Sequence, residues 1–250
     1  MNWKLIALDM DGTLLQPDLS ISEENRLWIA KAREVGIEVT LATGRPQNGF
    51  VQEAVETLGF IVPYVTVNGG EVWEPRERLL KRHPLPTDDV CILRDLATEH
   101  GARFWTSSVE QIFAPDELPE DIYEYTWLKF GFFHQDRDVV EQIWGHLKQL
   151  ERFEVTNSGR NNIEVNPRGV TKARGLETVC TAIGISAAEV VTIGDSVNDI
   201  SMLRWAGLGI AMGNAQDVVK EAADHITADN TSHGVAQAIA MLLDERSPEA

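Results

Sequence analysis

Residues 5–15 read LIALDMDGTLL, and the reading of this run decides the fold. A short apolar strand ends in two carboxylates one residue apart, Asp9 and Asp11, and breaks at once at Gly12. Residues i and i+2 of a strand point to one face. An extended tip therefore brings both carboxylates to one patch, where like charges repel. Three arrangements tolerate such a pair: a solvated tip, a shared proton, or a cation between them. The uninterrupted apolar run before it suits a strand buried on both faces of a parallel sheet.

The chain around this run keeps a strand–helix rhythm. SISEENRLWIAKAREVG reads as a helix, with Ser20 and Glu23 as a capping box and Gly36 just past its end. IEVTLAT is the second strand and stops at Thr43-Gly44-Arg45-Pro46. Pro46 suits the first turn of a helix running to about Leu58. PYVTVNGG is the third strand, stopping at Asn68-Gly69-Gly70. This βαβαβ order implies a parallel sheet with helices on both faces.

From about Lys81 to Arg168 the pattern changes. A helix (TDDVCILRDLATEHG) precedes the aromatic strands ARFWTS, QIFA and TWLKFGFFH. A second helix follows near DRDVVEQIWGHLKQL, and then FEVTN and NNIEVN flank an SGR turn, as in a hairpin. This is an α+β module with an antiparallel sheet. After Pro167 the first rhythm returns: TKARGLETVCTAIG (helix), EVVTIG (strand), a short helix with LRWAG, LGIAMG (strand), a helix from Gln216 to Ala223, DHIT (strand), and a helix near Val235–Leu243. The tail DERSPEA is expected to fray. The organisation is a Rossmann-like three-layer α/β core, residues 1–80 plus 169–250, interrupted by an α+β cap, residues 81–168.

With 250 residues, 43% of them hydrophobic, the chain can bury a large core. No apolar run approaches the roughly 20 residues that span a bilayer, and Asp9 and Asp11 interrupt the one N-terminal apolar stretch, unlike a secretory signal. A cytoplasmic protein with no membrane partner is expected, as a monomer or homodimer. Cys91 and Cys180 form no metal or disulfide spacing and read as buried free thiols. A net charge of −17 opposes nucleic-acid binding. An anionic ligand would also meet an adverse field, so its site must carry local positive charge.

The polar residues collect at strand ends: Asp9 and Asp11 after LIAL, Thr43-Gly44 after LA, Asn68-Gly69 after TV, and Asp195, Asn198 and Asp199 after VVTIG. Ligands of open parallel sheets sit outside those ends. Three or four carboxylates meeting there call for a divalent ion, and an all-oxygen donor set without histidine or thiol points to Mg²⁺. The solvated and shared-proton alternatives give way to the cation.

DMDGT, ATGR, GVTK and GDSVND, in that order, resemble the four motifs of the haloacid dehalogenase superfamily. The position of the insert resembles the Cof-type phosphatases with a C2B cap. The third tip departs slightly, NGG where NGA is commoner, and the lysine follows Thr171 where serine is frequent. The resemblance implies phosphomonoester hydrolysis of a small phosphorylated metabolite, a sugar phosphate or phosphorylated cofactor, through an aspartyl-phosphate, with the cap setting specificity.

It also implies the roles. Asp9 is the nucleophile and Asp11 the general acid and base. Asp9, the Asp11 carbonyl and Asp195 hold Mg²⁺, with Asp199 binding it through water or orienting Lys172. Thr43 and the Gly44 amide bind phosphoryl oxygens at a helix N-terminus, Lys172 neutralises charge, and Asn198 binds phosphate. Met10, Arg45, Asn68 and Gly69 complete the substrate contacts. Plainer readings stand beside these: Thr43 as a helix cap, Arg45 as a salt-bridging residue, Asn68-Gly69 as a tight turn, Asp199 as an N-cap, and Lys172 as a solvated first-turn lysine. That last placement opposes the helix dipole unless an anion is near. The cap aromatics, among them Phe104, Trp105, Phe113, Trp127, Phe130, Phe132 and Phe133, read chiefly as the core of a small sheet, with ring stacking on a substrate as the alternative. A phosphomutase, or a phosphometabolite-binding protein without turnover, is the rival reading.

Overall fold

The structure is a computed structural model and describes residues 3–244. The first arm of the chain runs β1 (Leu5–Leu8), α1 (Glu23–Glu34), β2 (Glu38–Leu41), α2 (Gly49–Thr57), β3 (Tyr64–Thr66), β4 (Glu71–Trp73) and β5 (Leu79–Arg82). Two helix starts differ from expectation. The N-cap of α1 is Ser22, whose side chain accepts from the Asn25 amide, and not Ser20. Gly36 does follow the end of this helix, at φ +81°. Helix α2 begins at Gly49 with Asn48 as its cap, so Pro46 lies in the preceding loop. A side-chain acceptor at the cap satisfies an otherwise orphaned amide, and asparagine supplies one where proline only presets φ.

The middle of the chain runs α3 (Thr87–Glu99), β6 (Arg103–Ser108), β7 (Ile112–Phe113), β8 (Trp127–Phe133), α4 (Arg137–Gln149), β9 (Phe153–Thr156) and β10 (Asn162–Pro167). Its strands form one sheet in the order β7-β6-β8-β10-β9, each neighbouring pair antiparallel. Phe113, Trp127, Phe130, Phe132, Ile163 and Val165 pack against Leu93 and Leu96 of α3 and Ile143 and Leu147 of α4. Phe104 and Phe130 stack with centroids 5.1 Å apart. Most of the aromatic excess is thus core, while Phe133 and Tyr123 stay exposed.

The last arm runs α5 (Lys172–Ile183), β11 (Val190–Gly194), α6 (Ile200–Trp205), β12 (Leu208–Ala211), α7 (Asp217–Lys220), β13 (His225–Ile226) and α8 (Gly234–Asp244). The residues after Asp244, which include most of the tail expected to fray, lie outside the described residues. Both arms build one parallel sheet in the order β13-β12-β11-β1-β2. Its strand residues alternate between two apolar layers. Ile6, Leu8, Val39, Leu41, Val191 and Ile193 pack with α1, α2 and α8 on one face. Leu5, Ala7 and Val190 pack with Leu176, Val179 and Cys180 of α5 and Met202 of α6 on the other.

β3 was expected as a third full parallel strand. It meets the end of β2 only through a parallel bridge between Ala42 and Val65. Its ladder is antiparallel with β4, a strand with no clear signal in the sequence, and β5 completes that three-stranded sheet. Cys180 is buried but Cys91 is only half-buried, and both are free thiols. The chain divides into two compact units, one comprising residues up to Lys81 and from Lys172 onward, the other Arg82–Thr171.

Candidate active site

β1 and β11 run side by side in parallel, Leu5–Leu8 in register with Val190–Ile193, so the segments that follow them leave the sheet at one edge. The Asp9 amide donates to the Ile193 carbonyl at 3.0 Å. Carboxylate oxygens of Asp9, Asp195 and Asp199 all lie within 4.8 Å of one another. From the other side, α5 delivers Lys172, the first residue of the helix and fully buried. Its Nζ donates to Asp9 Oδ1 at 2.5 Å and to Asp199 Oδ1 at 2.6 Å. The solvated-lysine reading is overturned: the anions that the helix dipole called for are two carboxylates.

Burial sets the protonation balance. It raises Asp9 well above its ordinary value, against the pull of Lys172, with Asp199 and Asp195 adding repulsion. Asp195 is pushed up to about 7, first by burial and then by Asp199. Burial draws the Lys172 ammonium down, but Asp199 and Asp9 together raise it above its ordinary value. Three acidic groups therefore share one cation, and the pocket keeps an affinity for positive charge.

Asp199 is already engaged through both oxygens. Oδ1 takes Lys172, while Oδ2 accepts from the amides of Asp195 and Ser196, each at 2.9 Å. It does occupy the N-cap position of α6, yet its side chain makes no cap hydrogen bond to that helix. Its geometry is that of a group orienting Lys172 and the Asp195 turn. Asp195 is held by hydroxyls, Thr13 Oγ1 donating to Oδ1 at 3.3 Å and Ser196 Oγ to Oδ2 at 3.1 Å. Neither hydroxyl was singled out from the sequence, although each stands inside a motif, DGT and GDS. Gly12 has φ +81°, and a Cβ there would lie 2.6 Å from Asp195 Oδ2. No side chain fits between these two loops.

The expected convergence of Asp9 and Asp11 does not occur. The strand ends at Leu8, and a tight turn follows in which the Leu14 amide donates to the Asp9 carbonyl at 3.3 Å and the Leu15 amide to the Met10 carbonyl at 2.8 Å. Asp9 is buried while the Asp11 carboxylate is exposed and gripped by Arg45, Nε to Oδ2 at 2.7 Å and Nη2 to Oδ1 at 2.6 Å. Side-chain alternation holds only while the backbone stays extended. The Met10 side chain, placed among the substrate contacts, is fully buried in the core and could offer a ligand only its backbone.

Thr43 is fully buried, and its hydroxyl accepts from the Arg45 amide at 3.1 Å. It caps no helix. Since α2 starts only at Gly49, Thr43 and Gly44 also stand at no helix N-terminus, and the anion site expected there must rest on the loop itself. The Asn68 amide donates to the Thr43 carbonyl at 3.0 Å, and the Val67 amide to the Arg45 carbonyl at 2.9 Å. Val67, Asn68 and Gly69 all take left-handed φ, at +53°, +57° and +99°. For a β-branched residue such as Val67 this conformation is costly, and strain of that kind concentrates at functional sites. Asn198 Nδ2 donates to Asn68 Oδ1 at 3.2 Å, leaving Asn198 Oδ1 buried without a partner among the described residues.

The acidic donor set fits a hard divalent cation. All its donors are oxygen, three carboxylates are balanced by one lysine, and no thiol or imidazole stands in the cluster. Each of Asp9, Asp195 and Asp199 can turn one oxygen to it; Asp195 accepts from two hydroxyls, whereas Asp199 already accepts from an ammonium and two amides.

Comparison with known proteins shows the family. A family model described as haloacid dehalogenase-like hydrolase matches residues 6–126 and 114–239. The chain is 44% identical over 236 residues to the 5-amino-6-(5-phospho-D-ribitylamino)uracil phosphatase YcsE of Bacillus subtilis, covering 94% of both chains. It is 29% identical to the pyridoxal phosphate phosphatase YbhA of Escherichia coli, covering 96% of this chain and 98% of the relative. A solved haloacid dehalogenase-like hydrolase from B. subtilis superimposes with a TM-score of 0.87 at 26% identity, covering 96% and 99% of the two chains.

Proposed function

The chain belongs to the haloacid dehalogenase-like hydrolases, and from that premise we propose that it is a Mg²⁺-dependent phosphatase that hydrolyses a small phosphorylated metabolite through an aspartyl-phosphate on Asp9. The observation that carries the reading is Lys172 Nζ bridging the buried Asp9 and Asp199 carboxylates, with an Asp195 oxygen within 4.8 Å of theirs.

Asp9 attacks phosphorus, which splits one hard displacement into two easier ones. Lys172 opposes the burial that favours protonated Asp9 and offsets the negative charge of the arriving phosphoryl group. Asp11 lies two residues along, exposed to solvent and fixed in orientation by the bidentate Arg45 grip. In this reading it protonates the leaving alkoxide and then takes a proton from the water that cleaves the intermediate. Thr43, the Gly44 amide and Asn198 bind phosphoryl oxygens, and Asn68 and Gly69 shape the neighbouring turn. Asp9, the Asp11 carbonyl and Asp195 would hold Mg²⁺, which when bound would supply electrostatic stabilisation of the charge gathered at phosphorus.

The phosphate monoester of a ribitylaminouracil is our first candidate substrate, supported by the 44% identity to YcsE, and pyridoxal phosphate the next, supported by the likeness to YbhA. Substrate choice is assigned to the Arg82–Thr171 unit. In β8, Lys129 and Gly131 alternate with the core residues Phe130 and Phe132 and so belong to the opposite sheet face. There Lys129 pairs with Glu164 at 3.2 Å and stands 4.8 Å from the Trp105 ring.

The test is phosphate release from an aryl phosphate and from a panel containing both metabolites, with Mg²⁺ present or chelated. Wild type is expected to turn over only with the metal, and Asp9→Asn to be inactive throughout. Turnover surviving in Asp9→Asn would remove the nucleophile from the scheme.

A further inference from the structure

We propose that Asn214 is a positioning residue that holds the Asp9–Gly12 turn against the Asp195 loop and thereby sets the affinity of the acidic cluster for its cation. The proposal rests on the Mg²⁺-phosphatase reading above. Asn214 lies in the turn after β12, the neighbour of β11. Its Nδ2 donates to the Gly12 carbonyl at 2.8 Å, across 202 residues of chain. Two residues on, the Gln216 amide donates to the Asp195 carbonyl at 3.3 Å. One short turn thus grips both acid-bearing loops by their backbones.

The grip is itself braced. Asn214 Oδ1 accepts from the Asn230 amide at 2.9 Å, and Asn230 Nδ2 donates to the Leu15 carbonyl at 2.8 Å, at the far end of the same nucleophile turn. Both atoms of the Asn214 amide are therefore used, one on the catalytic turn and one on its support. The spacing between the loops is tight, since Gly12 already sits where a Cβ would meet the Asp195 carboxylate at 2.6 Å. A carbonyl released at Gly12 lets the Gly12–Thr13 peptide rotate, and with it Thr13, whose hydroxyl donates to Asp195 Oδ1, so the spacing of the two acid-bearing loops changes. Asn214 touches neither carboxylate, so its effect passes through the backbone.

Asn214→Asp isolates the contact. It keeps the acceptor for the Asn230 amide, removes the donor to Gly12, and sets two acceptors against each other. Its added negative charge would by itself strengthen Mg²⁺ binding, so weakened binding points to lost geometry. Asn214→Ala removes both contacts without adding charge. For each protein, Mg²⁺ is titrated while the rise in melting temperature and the turnover of an aryl phosphate are followed.

Partners of metal ligands that act at one remove typically contribute roughly 10–100-fold to metal affinity. The Mg²⁺ midpoint is expected to move upward by that factor in both readouts and in both variants, with kcat recovering at saturating metal. Because Asn214 is exposed, the metal-free melting temperature should fall by no more than about 4 °C for each hydrogen bond lost, one in Asn214→Asp and two in Asn214→Ala. Midpoints equal to wild type overturn the proposal, and so does a lower melting temperature with an unmoved midpoint, the mark of a merely structural residue. Wild type showing neither a Mg²⁺ response nor turnover would instead bring down the phosphatase reading, and this inference with it.

Discussion

Replacing Lys172 by methionine removes the cation and keeps most of the side-chain volume. In the intact protein the ammonium is fully buried and donates to Asp9 and Asp199 at 2.5 and 2.6 Å. Without it, carboxylates whose oxygens lie within 4.8 Å face each other out of water. Two unit charges at that distance repel by about 3 to 4 kcal/mol at an effective dielectric constant near 20. Breaking a buried ion pair from one side costs a similar amount, about 3–5 kcal/mol. At about 2–4 °C per kcal/mol for a unit of this size, the melting temperature of metal-free Lys172→Met should drop by roughly 6–20 °C at pH 7.

The deficit should shrink on acidification. With Lys172 gone, the carboxylates rise further above their unfolded values. A group raised by folding stabilises the fold while protonated and loses that contribution as pH climbs towards its folded value. The assay is differential scanning fluorimetry from pH 5 to 8 with chelator present, alongside aryl phosphate turnover, which should fall by at least about 10²-fold. A metal-free variant melting within 2 °C of wild type at pH 7 would refute the electrostatic account of the site.

Three further outcomes follow from the same geometry. Asp195 stands at about 7 against an ordinary 3.8, so its contribution to metal-free stability is present below about pH 4 and lost as pH rises to 7; this is worth on the order of 4 kcal/mol, and thermal melts should show the slope flattening when Mg²⁺ is added to compete with protons. Gly12→Ala forces an L side chain into φ +81° and a Cβ to 2.6 Å from Asp195 Oδ2. It should lower the melting temperature through a conformational cost of about 1–2 kcal/mol and raise the Mg²⁺ concentration needed for half-maximal activity. Gly131→Ala drives a Cβ to 2.1 Å from the Trp105 indole. Overpacking of about 1–3 kcal/mol should then appear as earlier unfolding of the Arg82–Thr171 unit by tryptophan fluorescence, with the Mg²⁺ midpoint unmoved.

Much of the fold was legible because its signals are local. Val-, Ile- and Leu-rich runs bounded by polar tips marked β1, β2 and β11, and apolar periodicity marked α3, α4 and α5. What escaped was set by contacts distant in sequence. The cap of α1 moved to Ser22, which bonds the Asn25 amide at 3.2 Å and is met by His233 Nδ1 at 3.0 Å, from 211 residues away. β3 turned mostly to β4, because only one bridge joins it to the end of β2.

By itself the sequence determined which residue types stand at the strand ends, and hence that acidic side chains gather at one edge of the sheet; a lysine among them was implied by the resemblance to the haloacid dehalogenase superfamily. Spacing settles the gathering, since a parallel sheet presents the residues after its strands at a common edge. Only the tertiary structure decided how the acids divide: Asp9 inward onto Lys172, Asp11 outward onto Arg45, Asp199 spent on holding its neighbours. A side chain's direction beyond the last strand residue depends on where the turn bends, and that bend is held by amides and carbonyls brought from the far end of the chain.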